Sequence, residues 1–308
     1  MLDVLFALIP VFLLIVLGFT LKRRMLPSEQ FWIGLERLVY YVLFPALLID
    51  TLARANLSSV PIAGVGGALL LAVLAMSALC LALRPLLARQ FGIDGPAFSS
   101  IFQGATRWQT FVALSISGNL FGNIGITLAS VAMVAMIPLL NIFAVAVLAH
   151  YASPQRMAWP ALLMTIARSP LIWACVIGLA LNLLRVPVPR PLHEFMDALG
   201  RCSLAIGLLV VGAGLHLDGL RRPTAGALVA VVLKLAVMPV IAIALGVAFG
   251  LSGTSLAVVA CCAAVPSASN GYILARQMGG GAPLLAQILV LQTLLAVLTM
   301  PVVIAYAR

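Results

Sequence analysis

The sequence has little charge: of 308 residues, 18 are Lys or Arg and 8 are Asp or Glu, together 8% of the chain. A soluble domain carries roughly 25% charged residues to keep its surface wet, so a soluble globule is excluded. Cysteine is also sparse. Cys80, Cys175, Cys202, Cys261 and Cys262 all lie in apolar stretches, with no CxxC and no metal-ligand spacing, which argues against both zinc and disulfides. Enzyme signatures are missing: there is no HExxH, no GxSxG, no GxxxxGK(S/T) and no EF-hand loop. The chain therefore does not read as an enzyme, and no cofactor or metal is expected. A basic n-region before the first apolar run is lacking too, and that run ends in Lys22-Arg23-Arg24. It reads as a first membrane span, not a cleaved signal.

What is present is apolar. Hydrophobic residues make up 64% of the chain, in runs of about 20, the length a helix needs to cross a bilayer. A net charge of +10 raises nucleic acid as a partner, but the basic residues sit in short clusters between apolar runs, without a stripe or an aromatic platform. Such clusters fit the positive-inside rule instead. The fold expected is an all-α polytopic membrane protein of ten spans, near 3–21, 32–53, 62–84, 97–120, 124–150, 160–184, 195–217, 224–250, 254–277 and 283–306. Loops on one side hold Lys22, Arg23, Arg24, Arg84, Arg89, Arg156, Arg221, Arg222 and Arg276; those on the other hold Arg54, Arg185, Arg190 and Arg308. The richer set is expected to be cytoplasmic, which puts both termini outside.

The chain repeats. Pro10, Gly18 and Pro27 recur as Pro170, Gly178 and Pro187, at a constant offset of 160. Leu47-Leu48 answers Leu208-Leu209, Gln109 and Phe111 answer Asn270 and Tyr272, and Pro138 answers Pro301. The reading is a first five-helix repeat over 1–152 and a second over 158–308, with no soluble domain. Five is odd, so the second repeat enters the membrane inverted, as in many secondary transporters.

Two spans break this hydropathy at matching places. The fourth reads Gln103-Gly104-Ala105-Thr106-Arg107-Trp108-Gln109-Thr110, and the ninth Ala264-Val265-Pro266-Ser267-Ala268-Ser269-Asn270-Gly271. Interrupted helices in both halves point to a binding site at the midplane, with half-helix N-termini facing an anion; close helix packing is the plainer account. Arg107 lies at membrane depth, at a cost of about 2.5–3.5 kcal/mol. Its planar fork suits a carboxylate; a structural pair with Asp50 is the alternative. Asp50 and Arg54 are also spaced for an i, i+4 pair at the interface. Glu36, Asp50 and Lys234 are candidates for ion or proton coupling, although Lys234, Arg168 and Arg201 also fit snorkelling or pairing. His150, His193 and His216 sit near span ends. Gly212-Ala213-Gly214 fits close helix approach better than phosphate binding.

The stretch from Pro266 to Gln277, PSASNGYILARQ, resembles the ninth span of the auxin efflux carrier family in bacteria. Arg107-Trp108-Gln109-Thr110-Phe111 resembles the fourth, and Lys234 with Pro239 and Pro138-Leu139-Leu140-Asn141 are similar to further parts of it. The resemblance covers nearly the whole chain. It implies ten helices in two inverted repeats whose fourth and ninth helices are broken and cross, in the bacterial cytoplasmic (inner) membrane. It also implies transport, with efflux the expected direction, of a small organic anion such as a mono- or dicarboxylate. Arg107, Gln109, Thr110, Pro266, Ser267, Ser269 and Asn270 would bind it. One departure stands out: the first break lacks a proline and has Gln109 where asparagine is usual. The partners expected are that anion, the lipid bilayer and a second copy in a homodimer; nucleic acid is not among them. A sodium-coupled symporter of the bile-acid type and a non-transporting receptor or scaffold are the competing readings.

Overall fold

A computed structural model describes residues 2–55, 61–152, 170–215 and 223–308, and within them every regular element is a helix. In chain order these are α1 (Leu2–Arg24), α2 (Glu29–Leu38), α3 (Phe44–Ala53), α4 (Ile62–Phe91), α5 (Gly95–Thr106) and α6 (Thr110–Tyr151). There follow α7 (Pro170–Leu183), α8 (Arg190–Ala213), α9 (Ala225–Val232), α10 (Met238–Ala248), α11 (Gly253–Ala264), α12 (Asn270–Met278) and α13 (Ala282–Ala307). Among the described residues, seven helical stretches are long and apolar enough to cross a membrane; Leu139–Tyr151, Trp173–Leu183 and Gly253–Ala264 are shorter apolar helices. Arg156, Arg168, His216, Arg221 and Arg222 lie outside the described residues.

Two prolines shape long spans in one way. Pro45 follows a π-helical turn (Val39–Leu43) that joins α2 to α3, and Pro239 follows another (Leu233–Val237) that joins α9 to α10. A proline removes one backbone donor, and its ring crowds the carbonyl four residues back. Widening the preceding turn to i→i−5 bonds, Phe44 to Val39 and Met238 to Leu233, absorbs that crowding without ending the span.

The helices sort into two bundles. In one, α1 packs on α8, and α3 on α7 and α8. In the other, α4, α6, α10 and α13 surround α5 and α11, with α9 laid against α5 and α13. The short helices α5 and α11 are the buried ones: every residue from Phe98 to Thr106 and from Ala257 to Ala264 is enclosed by protein. That is how the polar fourth span and the small-residue ninth are tolerated at membrane depth, since lipid touches neither of them there. Both half-helices have 12 residues and both follow a left-handed glycine, Gly92 and Gly250. After each break comes another, Gly122 bending α6 and Gly279 ending α12.

The α1–α8 contact runs backbone to backbone. A Cβ on Gly18 would lie 2.0 Å from the Leu209 carbonyl oxygen, and one on Gly212 would lie 1.9 Å from that of Ile15. Gly212→Ala therefore forces the two helices apart. We expect a loss of about 1–3 kcal/mol, the usual cost of overpacking, read as a lower melting temperature in detergent. An unchanged melting temperature would show that the helices can part freely.

Candidate functional site

The two breaks meet. Helix α5 ends at Thr106, Arg107 turns extended (ψ 157°), and α6 begins at Thr110; helix α11 ends at Ala264, Val265 turns extended (ψ 150°), and α12 begins at Asn270. The second break is locally encoded, because the residue before a proline is pushed towards extended backbone and Pro266 follows Val265. The first contains neither proline nor glycine and is held from outside. The Gln109 N–H donates to the Pro266 carbonyl at 2.9 Å, and the Ser267 hydroxyl donates to the Gln103 carbonyl at 3.1 Å.

The fully buried Gln292 of α13 locks this junction. Its Oε1 accepts from the Ser267 N–H at 2.9 Å, while its Nε2 donates to the Gly104 carbonyl at 2.9 Å and the Ala230 carbonyl at 3.2 Å. Sequence reading missed Gln292. The only signal was a second glutamine, about one turn and a half beyond Gln287, in a mostly apolar last span.

Arg107 is 5% exposed and donates from Nη1 to the Asn270 Oδ1 at 2.8 Å. Its Nε has no partner among the described residues, and no acidic side chain pairs with it there. The alternative of a structural pair with Asp50 is not what the structure contains. Asp50 Oδ1 instead lies 2.6 Å from His193 Nδ1, and Arg54 bonds to that same imidazole. The expected direct Asp50–Arg54 pair is thus replaced by one through His193, which reaches between them from α8.

Arg107, Gln109, Thr110, Ser269 and Asn270 line one cavity of about 810 Å³. It lies between the two bundles, whose other wall is Glu36, Tyr40, Phe44, Val210 and Val211. Lys22, Glu29 and Arg276 also line it, with Lys22 and Glu29 paired at 2.8 Å. The first residues of α6 and α12 line the cavity, so the positive dipole ends of both helices face the space beside Arg107. Pro266 and Ser267 do not line it; they hold the junction together. The three coupling candidates separate. Glu36 is in the cavity wall and forms no ion pair or hydrogen bond among the described residues, and Asp50 is tied to His193 outside it. Lys234 neither snorkels nor pairs: it is 0% exposed, and its Nζ has no partner among the described residues. Arg201, by contrast, pairs with Asp197 one turn away.

Such a cavity, with a buried guanidinium and two helix N-termini on one wall, can hold a carboxylate. No cluster of three metal-ligating side chains occurs among the described residues. A family model described as a membrane transport protein matches residues 153–304. An uncharacterized transporter of Methanothermobacter thermautotrophicus (strain Delta H) is 23% identical over 297 residues, which cover 94% of this chain and 94% of that one.

Proposed function

The chain belongs to the auxin efflux carrier family of membrane transport proteins, and from that premise we propose that it is a secondary transporter exporting a small organic anion by alternating access. The observation that carries this reading is the buried Arg107, free of any acidic partner among the described residues and set beside two helix N-termini in a cavity between two bundles. The anion's carboxylate would sit against the Arg107 guanidinium, the Thr110 end of α6 and the Asn270 end of α12. Gln109 and Ser269 would supply further hydrogen bonds. Its apolar part would rest on Phe44, Phe111 and Val211.

Rocking of the α1–α3, α7 and α8 bundle against the other would alternate access. Lys22 and Arg276, which both line the cavity, belong to the basic set assigned to the cytoplasm. This supports an opening on that side of the cytoplasmic membrane, with both termini outside. Equal half-helices and the paired left-handed glycines around both breaks support two inverted five-helix repeats, 1–152 and 158–308.

The test is a melting-temperature screen of purified protein against mono- and dicarboxylates, followed by counterflow of the best ligand in proteoliposomes. A ligand at 100 times its Kd adds about 2.7 kcal/mol of stability, a shift that is easily read. Asn270→Ala removes one charge-assisted bond and should lower counterflow by about tenfold. If no carboxylate stabilises the protein, the anion is wrong. Binding without counterflow would make the protein a receptor.

A further inference from the structure

Lys234 projects from the π-helical turn Leu233–Val237, which packs on α5, α11 and α13. Its position along the membrane follows from its neighbours. Gly226 faces Ile101 and Ala230 faces Gly104, so α9 runs parallel to α5. One turn beyond Ala230, Lys234 comes level with the break that follows Thr106. On the other side its ammonium is an electrostatic neighbour of the Cys262 thiol, two residues before the end of α11.

Both half-helices end here with bare carbonyls. Ala105 and Thr106 of α5, and Cys262, Ala263 and Ala264 of α11, accept no hydrogen bond among the described residues. Each helix C-terminus carries roughly half a negative charge, so two of them amount to about one. A single ammonium matches that. Broken transporter helices use such carbonyl ends to hold a coupling cation.

We propose that the Lys234 ammonium is a resident cation beside these two C-termini, acting through their summed dipole charge because its Nζ hydrogen-bonds no carbonyl among the described residues, and that it makes the carrier independent of sodium. It rests on the transporter reading for its meaning, and it also decides against the sodium-coupled alternative. The N-terminal ends of α6 and α12 are left for the anion, while the C-terminal ends of α5 and α11 are neutralised permanently.

The test reads cation binding by the purified protein and needs no substrate, so it stands or falls apart from any flux measurement. Wild-type protein should melt at the same temperature in sodium chloride and in choline chloride of equal ionic strength. Lys234→Met keeps the stem and removes the charge. An unpartnered lysine with no task should be improved by methionine; a resident cation should not. We expect Lys234→Met to melt on the order of 5 °C lower in choline chloride, and Lys234→Ala, which leaves room, to be restored saturably by sodium. Lys234→Arg should remain close to wild type. Saturable sodium stabilisation of the wild type would overturn the proposal even if no variant folds. So would a Lys234→Met protein as stable as the wild type in choline chloride.

Discussion

Arg107→Ala should lower carboxylate flux in proteoliposomes by at least about 100-fold, with no loss of thermal stability. The two halves of that expectation come from one fact. Arg107 is buried with its charge uncompensated by any acid among the described residues, and only the Asn270 side-chain oxygen holds its Nη1. Breaking a buried, hydrogen-bonded charge pair costs about 3–5 kcal/mol, and every 1.4 kcal/mol is a factor of ten. If the substrate carboxylate is the missing partner, its binding falls by that factor when the guanidinium goes. The empty protein, meanwhile, loses a desolvated charge with no acidic partner among the described residues, which is neutral or stabilising. Arg107→Lys keeps the charge but not the two-point fork, and should retain about a tenth of the flux. A melting temperature that drops together with the flux would turn Arg107 into a structural residue; wild-type flux would remove it from the site altogether.

The membrane class and the two broken spans were legible because scarcity of charge and interrupted hydropathy are properties of composition and order. Legibility within the site was uneven. Val265-Pro266 declares its break through the steric demand of proline on the residue before it. Arg107-Trp108-Gln109 contains no such signal, and its break depends on hydrogen bonds from residues more than 150 positions away, Pro266 and Ser267 among them. The departure noted in the sequence, a first break without proline, is therefore a change in what holds the backbone open. Charges were harder still. Asp50 and Arg54 have the spacing of a helical pair, yet His193 from another helix takes both. Lys234 carries the same letter as a snorkelling lysine; only the packing of the π-helical turn against α5 and α11 shows that its stem points inward. Of the three coupling candidates named from the sequence, Glu36 alone stands in the wall of the cavity, and nothing in its neighbouring letters shows that.

Gln292 offers the largest effect on stability. Gln292→Leu preserves approximate volume and removes the bonds by which Gln292 ties α13 to the two breaks and to α9: the one accepted from the Ser267 N–H and those donated to the Gly104 and Ala230 carbonyls. The Ala230 carbonyl keeps the Leu233 N–H, but the Ser267 N–H and the Gly104 carbonyl have no other partner among the described residues. Both groups are enclosed by protein, and each orphaned group costs about 1–3 kcal/mol. The melting temperature should fall on the order of 10 °C, and flux should fall with it, because the junction that aims Arg107 and the α12 N-terminus opens. Gln292→Glu separates the two ends of the amide. A carboxylate still accepts from Ser267 but faces the Gly104 carbonyl with a second acceptor, so it should be no more stable than the leucine variant. Either protein melting within about 2 °C of wild type would mean that the breaks hold each other directly, through Gln109 and Pro266, and that α13 only fills space beside them.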